Sequence, residues 1–403
     1  MNYKQIQLRK GKDESLRRFH PWVFSGAIQT MEEGIDEGDV VRVVTAGGEF
    51  IAVGHYQQGS IAVRVLSFND VEIDDAFWTL RLRSALTMRR AIGIADNADN
   101  NTYRLIHGEG DNLPGLIIDV YGQTAVMQAH SIGMHRQRRE IARALQNVME
   151  SHILHIYYKS ETTLPFMTAD DMNGFLVGGS ADNVAVENGL KFYVDWLKGQ
   201  KTGFFVDQRD NRSLLERFSK NKRVLNMFCY TGGFSVYAMR GGATCVHSVD
   251  SSGKAIELTK ANVALNFPED ARHEAYCEDA FKFLERIGQT KAPNHHPATS
   301  YDLIVLDPPA FAKHRGALHN ALKGYIRLNQ KAIEKIERGG ILFTFSCSQV
   351  VTKDHFRNAV FTAAALAKRE VRILHQLHQP ADHPINIYHP EGEYLKGLVL
   401  YVE

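Results

Sequence analysis

From Arg223 onward the chain reads as an open, doubly wound α/β sheet of seven strands, and three observations predict it. Apolar runs of strand length alternate with amphipathic segments of helix length. The first run is followed by a glycine-bearing turn, Thr231, Gly232 and Gly233. Acidic or thiol side chains close several of the runs, and in an open α/β sheet ligands gather at those carboxyl ends.

The elements follow in order. Val224, Leu225, Met227 and Phe228 make the first strand, and the missing Cβ atoms of the turn after it let backbone N–H groups approach a ligand at the start of a helix. Gly241 and Gly242 stop that helix. Cys245, Val246, Ser248 and Val249 form the second strand, which ends at Asp250, where an acid accepts hydrogen bonds from ribose hydroxyls. Taken alone, a tight turn with an acid beyond it is equally an ordinary turn. Next come a helix over 252–266, the strand EAYC at 274–277, a helix over 280–287, the strand YDLIVLD at 301–307 and a helix over 324–337. The strand ILFTFSC at 341–347, a helix over 352–369, and the strands 371–377 and 394–403 complete the pattern. The last two strands are too close for a crossover helix, so the last strand is antiparallel. Helices cover both faces of the sheet. Its ligand-facing features are the 229–233 turn, Asp250, Asp279, Asp307-Pro308-Pro309 and Cys347. Their convergence is more specific than any one of them.

A strand-like LKFYVDWL at 190–197 leads into the polar segment GQKTGFFVDQRDNR at 199–212. Gln208, Arg209 and Asp210 stand just before a helix and the first strand of the sheet. They are placed either to reach the charged end of a cofactor or simply to cap and turn the chain.

The 403 residues imply two or three domains, each able to bury a core. Lys plus Arg number 47 against 46 Asp plus Glu, so any nucleic-acid surface is local. Four cysteines without CxxC spacing argue against a disulfide scaffold and a zinc site, and fit a reducing cytoplasm. The N-terminus lacks an apolar signal region, and no apolar run reaches the ~20 residues of a membrane span. Histidine-rich pieces at 294–297 and 375–384 match no compact metal-ligand spacing and read as loop or substrate-surface histidines.

Residues 1 to about 70 alternate in period two, with VVRVV at 40–44, EFIAVGHY at 49–56 and SIAVRVL at 60–66, which predicts a small β barrel or roll. Within it Lys4, Arg9, Lys10, Lys12, Arg17 and Arg18 outnumber Asp13 and Glu14, and His20, Pro21, Trp22 and Phe24 follow. Basic side chains interleaved with aromatics bind phosphates and stack on bases; a solvated charged edge beside a core tryptophan is the competing reading. Residues from about 74 to 185 read as an α+β module: an amphipathic helix over 76–91, strands in YRLIH, LIIDVYG and TAVMQA, a basic helix around Met134–Met149 and the strand ILHIYYKS. Gly108, Gly110, Asp111, Pro114 and Gly115 make one ordered loop. Arg136, Arg138 and Arg139 either extend a phosphate-binding face or form a solvated one.

NMFCYTGGFSVYA, Asp250, Glu278-Asp279 and DPPAF are similar to the pattern of class I S-adenosylmethionine-dependent methyltransferases. More narrowly, HPWVFSGAI, GEGDNLPGLIIDVYG, GQKTGFFVDQRDNR and FSCSQ resemble the ribosomal large-subunit RNA cytosine-5 methyltransferase I family over essentially the whole chain. The resemblance implies a PUA-like RNA-binding domain over 1–72, a central α+β domain over 73–188 and a methyltransferase domain over 189–403. It implies S-adenosylmethionine as cofactor, large-subunit (23S) ribosomal RNA as partner, a cytoplasmic location and no membrane. A homodimer is carried as a candidate assembly. The cofactor residues it implies are Phe228, Cys229, Tyr230, Thr231, Gly232 and Gly233 at the methionine moiety, Asp250 and Ser251 at the ribose, and Asp279 and Ala280 at the adenine. Gln208 or Arg209 would cover the carboxylate. Substrate contacts fall to Pro308, Pro309, Phe311, Lys10, Arg17, Arg18 and Trp22.

Carbon 5 of cytosine is a poor nucleophile, so its methylation needs a group that adds to C6. A cysteine thiolate does so well, a few per cent being ionised near neutrality from a typical pKa of ~8.5. Cys347 is the candidate, with Asp307 on the N3/N4 edge of the base. A cysteine at a strand end is also, in general, a small buried apolar residue, and Cys229, Cys245 and Cys277 keep that reading. The chain departs from the wider RNA cytosine-5 pattern at Pro309, where many such enzymes carry a second cysteine, so the group that removes the C5 proton is unassigned. Two alternatives stand beside this one. An Asp-Pro-Pro-aromatic motif also serves methylation of a base nitrogen in guanine or adenine without a thiol, and a non-catalytic RNA-binding protein can retain the same fold.

Overall fold

The computed structural model describes residues 3–164, 173–179, 183–288 and 300–403, which form two compact units. The first comprises Met1–Gly189, Val194–Val206 and Ala381–Gly392. Its six-stranded sheet runs in the order Trp22–Phe24, Ile61–Ser67, Phe50–Tyr56, Val40–Val44, Gln5–Leu8, Ile28–Met31. The period-two pattern turns Ile6, Leu8, Val41, Val43, Val63 and Val65 into one core. Gly54 is required there, since a Cβ would lie 2.2 Å from the Arg64 carbonyl oxygen.

A second sheet of this unit orders Asn173–Val177, His155–Lys159, Thr124–Ala129, Leu116–Tyr121 and Thr102–His107. The helices Asp75–Ala91 and Arg138–Met149 bury Trp78, Leu82, Leu86, Ile141 and Leu145 in the same core as its strands. Asp74 caps the first helix by accepting the Phe77 N–H at 2.9 Å. The helix expected around Met134–Met149 is two helices, Ile132–Arg136 and Arg138–Met149. Arg138 Nη1 donates to the His135 carbonyl at 2.9 Å, an acceptor that an unbroken helix would use for its own ladder.

The second unit comprises Leu190–Tyr193, Asp207–Pro380 and Glu393–Glu403. Its strands are β1 (Arg223–Met227), β2 (Cys245–Asp250), β3 (His273–Cys277), β4 (Tyr301–Leu306), β5 (Ile336–Ser346), β6 (Val371–His378) and β7 (Lys396–Val402). They lie in the order β3-β2-β1-β4-β5-β7-β6. β1 to β5 are parallel, and β7 runs antiparallel between β5 and β6. The helices α1 (Arg209–Phe218), α2 (Gly233–Arg240) and α3 (Gly253–Asn266) pack in sequence as one layer. The helices α4 (Ala280–Arg286), α5 (Leu318–Lys335) and α6 (Lys353–Ala367) form another, which makes the sheet doubly wound. Covered on both faces, β4 has Leu303, Ile304, Val305 and Leu306 fully buried, whereas edge strand β6 exposes Ile373 and Leu374. Strand order reverses between β1 and β4, which opens a crevice at their carboxyl ends.

Some boundaries differ from the periodicity. The strand expected over 190–197 stops at Tyr193, because Asp195 turns the chain: its carboxylate accepts the Lys198 N–H at 2.9 Å and its carbonyl the Gly199 N–H at 2.8 Å. The helix expected over 324–337 begins at Leu318, and β5 already starts at Ile336. Pairing with β4 jumps from Ile336 to Ile341, so 337–340 bulge out through the left-handed Gly339.

Candidate active site

The turn after β1 is held in an uncommon backbone shape. Phe228, Tyr230 and Gly232 have φ of +59°, +47° and +77°. A left-handed conformation costs a non-glycine residue about 1–2 kcal/mol, and it persists only where the surroundings enforce it. Here three side chains do so. Asp250 Oδ2, at the end of β2, accepts the Tyr230 N–H at 3.0 Å; Thr259 Oγ1 donates to the Tyr230 carbonyl at 2.9 Å; Asn262 Nδ2 donates to the Thr231 carbonyl at 2.8 Å. Thr259 and Asn262 are three residues apart on α3 and so share a face.

Gly232 is the N-cap of α2, and a Cβ there would lie 2.7 Å from Thr259 Cγ2. A Cβ at Gly233 would lie 3.0 Å from Arg212 Cδ. Arg212, buried on α1, reaches over Tyr237 with its guanidinium carbon 5.9 Å from the ring centre. Gln208 and Arg209, the polar residues expected near the cofactor, are buried at the start of α1, and Gln208 Oε1 accepts from Asn211 Nδ2 at 2.6 Å. Cys229 is buried, its thiol pushed up to about 12 by burial, so it is a packed apolar group.

Asp250 Oδ1 also accepts the Ser252 N–H at 2.9 Å. Each carboxylate oxygen keeps a second lone pair, so the acid can brace the turn and still accept from a ribose hydroxyl. Ser251 beside it is exposed. Asp279, also exposed, caps α4 through Oδ1, which accepts the Phe281 and Lys282 N–H groups at 3.0 and 3.1 Å; its second oxygen is left to meet an amino group. Ala280 is buried behind it. Three adjacent parallel strands thus present a strained turn and two carboxylates at their carboxyl ends, and this donor set fits an adenosine-bearing ligand.

Across the switch point, β4 is followed by Asp307, half-buried, then buried Pro308 and exposed Pro309. Phe311 packs against Tyr325 of α5, with centroids 4.6 Å apart and an interplanar angle of 35°. One side of the Phe311 ring is therefore occupied. Cys347 follows β5 directly, half-buried, with Sγ 4.0 Å from the Pro308 carbonyl. Both neighbours are fixed: Ser346 Oγ donates to Tyr325 Oη at 2.9 Å, and Ser348 Oγ to the Ala312 carbonyl at 2.6 Å. The hydroxyl of Tyr325 is pushed up to about 12 by burial and stays protonated. Lys396, at the start of β7, is buried and donates from Nζ to the Ser348 and Val351 carbonyls at 2.5 and 2.6 Å. Burial lowers its pKa to about 8.

The remaining expected substrate residues belong to the first unit. Lys10 is exposed. Arg17 pairs with Asp13 at 2.6 Å and Glu49 at 2.7 Å, and Arg18 with Glu14 at 2.5 Å, so this part of the basic cluster is internally neutralised. Trp22 is half-buried and donates its indole N–H to Glu109 at 2.9 Å. The histidine piece at 294–297 lies outside the described residues. In the other piece, His375 and His378 sit on β6 and His383 is buried in the first unit. No metal-sized group of His, Cys, Asp and Glu occurs among the described residues. Nor is any helix among them long and apolar enough to cross a membrane.

Arg212, Thr259, Asn262, Tyr325 and Lys396 were not singled out by motif. The i, i+3 pair on α3 and a lone lysine in the otherwise apolar KGLVLYV are the signals that point to three of them.

Two domain families match the chain: a PUA-like domain over residues 6–68 and an S-adenosylmethionine-dependent methyltransferase over residues 153–387. A protein named ribosomal RNA large subunit methyltransferase I from Escherichia coli O139:H28 is 39% identical over 403 residues, covering 99% of each chain. A protein of the same name from Shigella boydii serotype 4 matches to the same extent. The structure of an S-adenosylmethionine-dependent methyltransferase from Streptococcus mutans aligns with a TM-score of 0.83 at 23% identity, covering 99% of this chain and 100% of its own. A methyltransferase complexed with SAH aligns with a TM-score of 0.84 at 23% identity and the same coverage. At that identity the two structures show a shared fold.

Proposed function

The chain belongs to the S-adenosylmethionine-dependent ribosomal RNA large subunit methyltransferase family, and on that premise we propose that it methylates C5 of a cytosine in large-subunit ribosomal RNA through a covalent adduct of Cys347. The observation that carries the reading is the placement of Cys347 directly after β5, beside the Asp307–Phe311 segment that follows β4. Bound S-adenosylmethionine supplies an electrophilic methyl group.

In this reading the Cys347 thiolate forms a C–S bond to C6 of the base. The electron pair of the C5–C6 double bond shifts toward C5 and N3, and Asp307 hydrogen-bonds the N3/N4 edge and supports protonation at N3. C5 then takes the methyl group, leaving S-adenosylhomocysteine, and N3 returns its proton to Asp307. Release of the C5 proton to the medium and departure of the Cys347 thiolate restore the double bond and free the enzyme. Pro308 and Pro309 stiffen the backbone where the extruded base lies, and Phe311 stacks on it. The turn 228–233, Asp250 and Asp279 hold the methyl donor, with Arg212 bracing the start of α2.

The reading also divides the chain into an RNA-binding domain over 1–72, a central domain over 73–188 and a catalytic domain over 189–403, and locates the protein in the cytoplasm. The PUA-like match over 6–68 supports the first division; the methyltransferase match begins at residue 153, inside the expected central domain.

Labelled methyl donor, ribosomal RNA from cells lacking the enzyme, and identification of the modified base test the proposal. Label on C5 of cytosine, lost with Cys347→Ala, is the expected result. A second reading, direct methylation of a base nitrogen, draws on the Asp307-Pro308-Pro309-Ala310-Phe311 segment after β4, a pattern that also serves nitrogen methylation without a thiol. Label on a nitrogen, retained in Cys347→Ala, would establish that chemistry instead.

A further inference from the structure

A buried lysine next to the proposed nucleophile has no part in the mechanism so far. Lys396 opposes Ser346 in the β5–β7 ladder, so it sits one residue from Cys347 along β5. Its side chain is buried, and its Nζ bonds two carbonyls of the loop that Cys347 opens, at Ser348 and Val351. With Ser348 Oγ anchored to Ala312, that loop is tied on one side to the segment after β4 and on the other to β7. A neutral donor would satisfy two carbonyls. Burying an ammonium group is costly, and it persists where a charge of opposite sign compensates.

The charged and titratable groups around Lys396 are Cys347, Glu393 and Lys353, and Cys347 exerts the strongest of their pulls. Glu393 and Lys353 pair with each other at 2.5 Å and largely cancel. Tyr325, which also stands near Cys347, remains a neutral phenol, and its own surroundings include Asp307. Positive charge on the β7 side favours ionisation of Cys347.

We infer that Lys396 is the positioning residue of Cys347: its ammonium group holds the 347–351 loop in place and stabilises the thiolate. The inference rests on the reading of Cys347 as nucleophile, but the charge effect is reciprocal and can be read without methyl transfer.

The experiment follows alkylation of Cys347 by iodoacetamide as a function of pH, read by mass spectrometry of the Cys347 peptide so that exposed Cys277 serves as internal control. Lys396→Met should raise the midpoint of the Cys347 profile by about one pH unit, a roughly tenfold loss of thiolate below the midpoint. Lys396→Arg, which keeps the charge, should restore it. A loop that merely shifts changes the plateau rate and leaves the midpoint alone, and an unchanged midpoint in Lys396→Met would overturn the inference. A reciprocal arm needs no change at Lys396: in Cys347→Ser the Lys396 titration, followed by NMR of lysine-labelled protein, should move to lower pH, and no movement would overturn the inference equally. If both shifts appear while Cys347→Ala retains full methyl transfer, the charge pairing stands and the covalent mechanism fails.

Discussion

Replacing Gly232 with alanine loads the strained turn between β1 and α2 at its tightest point. Left-handed backbone at φ +77° costs an alanine about 1–2 kcal/mol. The new Cβ would also lie 2.7 Å from Thr259 Cγ2 and 3.2 Å from Thr259 Oγ1. Thr259 cannot simply rotate away, since Oγ1 bonds the Tyr230 carbonyl at 2.9 Å and giving that up costs about 1 kcal/mol more. The total, about 2–3 kcal/mol, must appear somewhere. If the turn relaxes in the free protein, it appears as a roughly 30- to 150-fold loss of affinity for S-adenosylhomocysteine; if the turn stays put, it appears as lost stability. Calorimetric titration together with denaturation in the absence of ligand measures both. Thr259→Ser deletes Cγ2 but keeps Oγ1, so the Gly232→Ala/Thr259→Ser double variant should regain the clash and hydrogen-bond share and retain only the backbone share. Wild-type affinity and stability in Gly232→Ala would refute the argument, and a double variant no better than the single one would refute the part assigned to Thr259.

Other outcomes follow from the same physics. His55 is fully buried and its pKa is pushed down to about 4 by burial, then by Arg64 and Arg136, whereas the unfolded chain titrates near 6.5. The unfolded state therefore binds more protons between those values. The stability this histidine contributes is present above pH ~6.5 and is lost as pH falls toward ~4, on the order of 3 kcal/mol; urea denaturation across that range should show the slope, and His55→Gln should flatten it. His273, hydrogen-bonded to Ser248 at 2.8 Å and lowered to about 4 mainly by burial, acts in the same direction in the second unit. Arg89 is wholly buried, pairs with Asp111 and bonds the Arg104 and Asp382 carbonyls at 2.8 Å each. Arg89→Met strands the Asp111 carboxylate and should destabilise the first unit by about 3–5 kcal/mol, read as a lower denaturation midpoint. Ser348→Ala unties the loop after Cys347 from Ala312 and should lower methyl transfer while leaving S-adenosylhomocysteine affinity within about twofold, a split visible in kcat and in binding.

Strand and helix periodicity are properties of consecutive residues, so the alternation from Arg223 to Glu403 was legible in the chain. So was the convergence of Asp250, Asp279, Asp307 and Cys347 on strand ends, because a parallel sheet puts every carboxyl end on one edge. Boundaries were less legible. The stop at Tyr193 depends on Asp195 bonding its own neighbours, and the early start of β5 depends on a bulge against β4. The segment Ala381–Gly392 lies late in the chain yet packs in the first unit, where Asp382 accepts the Arg104 N–H at 2.9 Å.

The sequence by itself determined the kind of site: a glycine turn for a ligand, acids to receive it, and a thiol beside an Asp-Pro-Pro motif. Tertiary structure decided how those groups are held. The left-handed Tyr230 is held by Asp250 and Thr259, with Asn262 on the next carbonyl, all reaching the turn from β2 and α3, and Cys347 gains a buried lysine neighbour because β7 inserts beside β5. Local composition encodes period and turn chemistry, whereas a contact between residues tens of positions apart exists only once register and packing have brought them together.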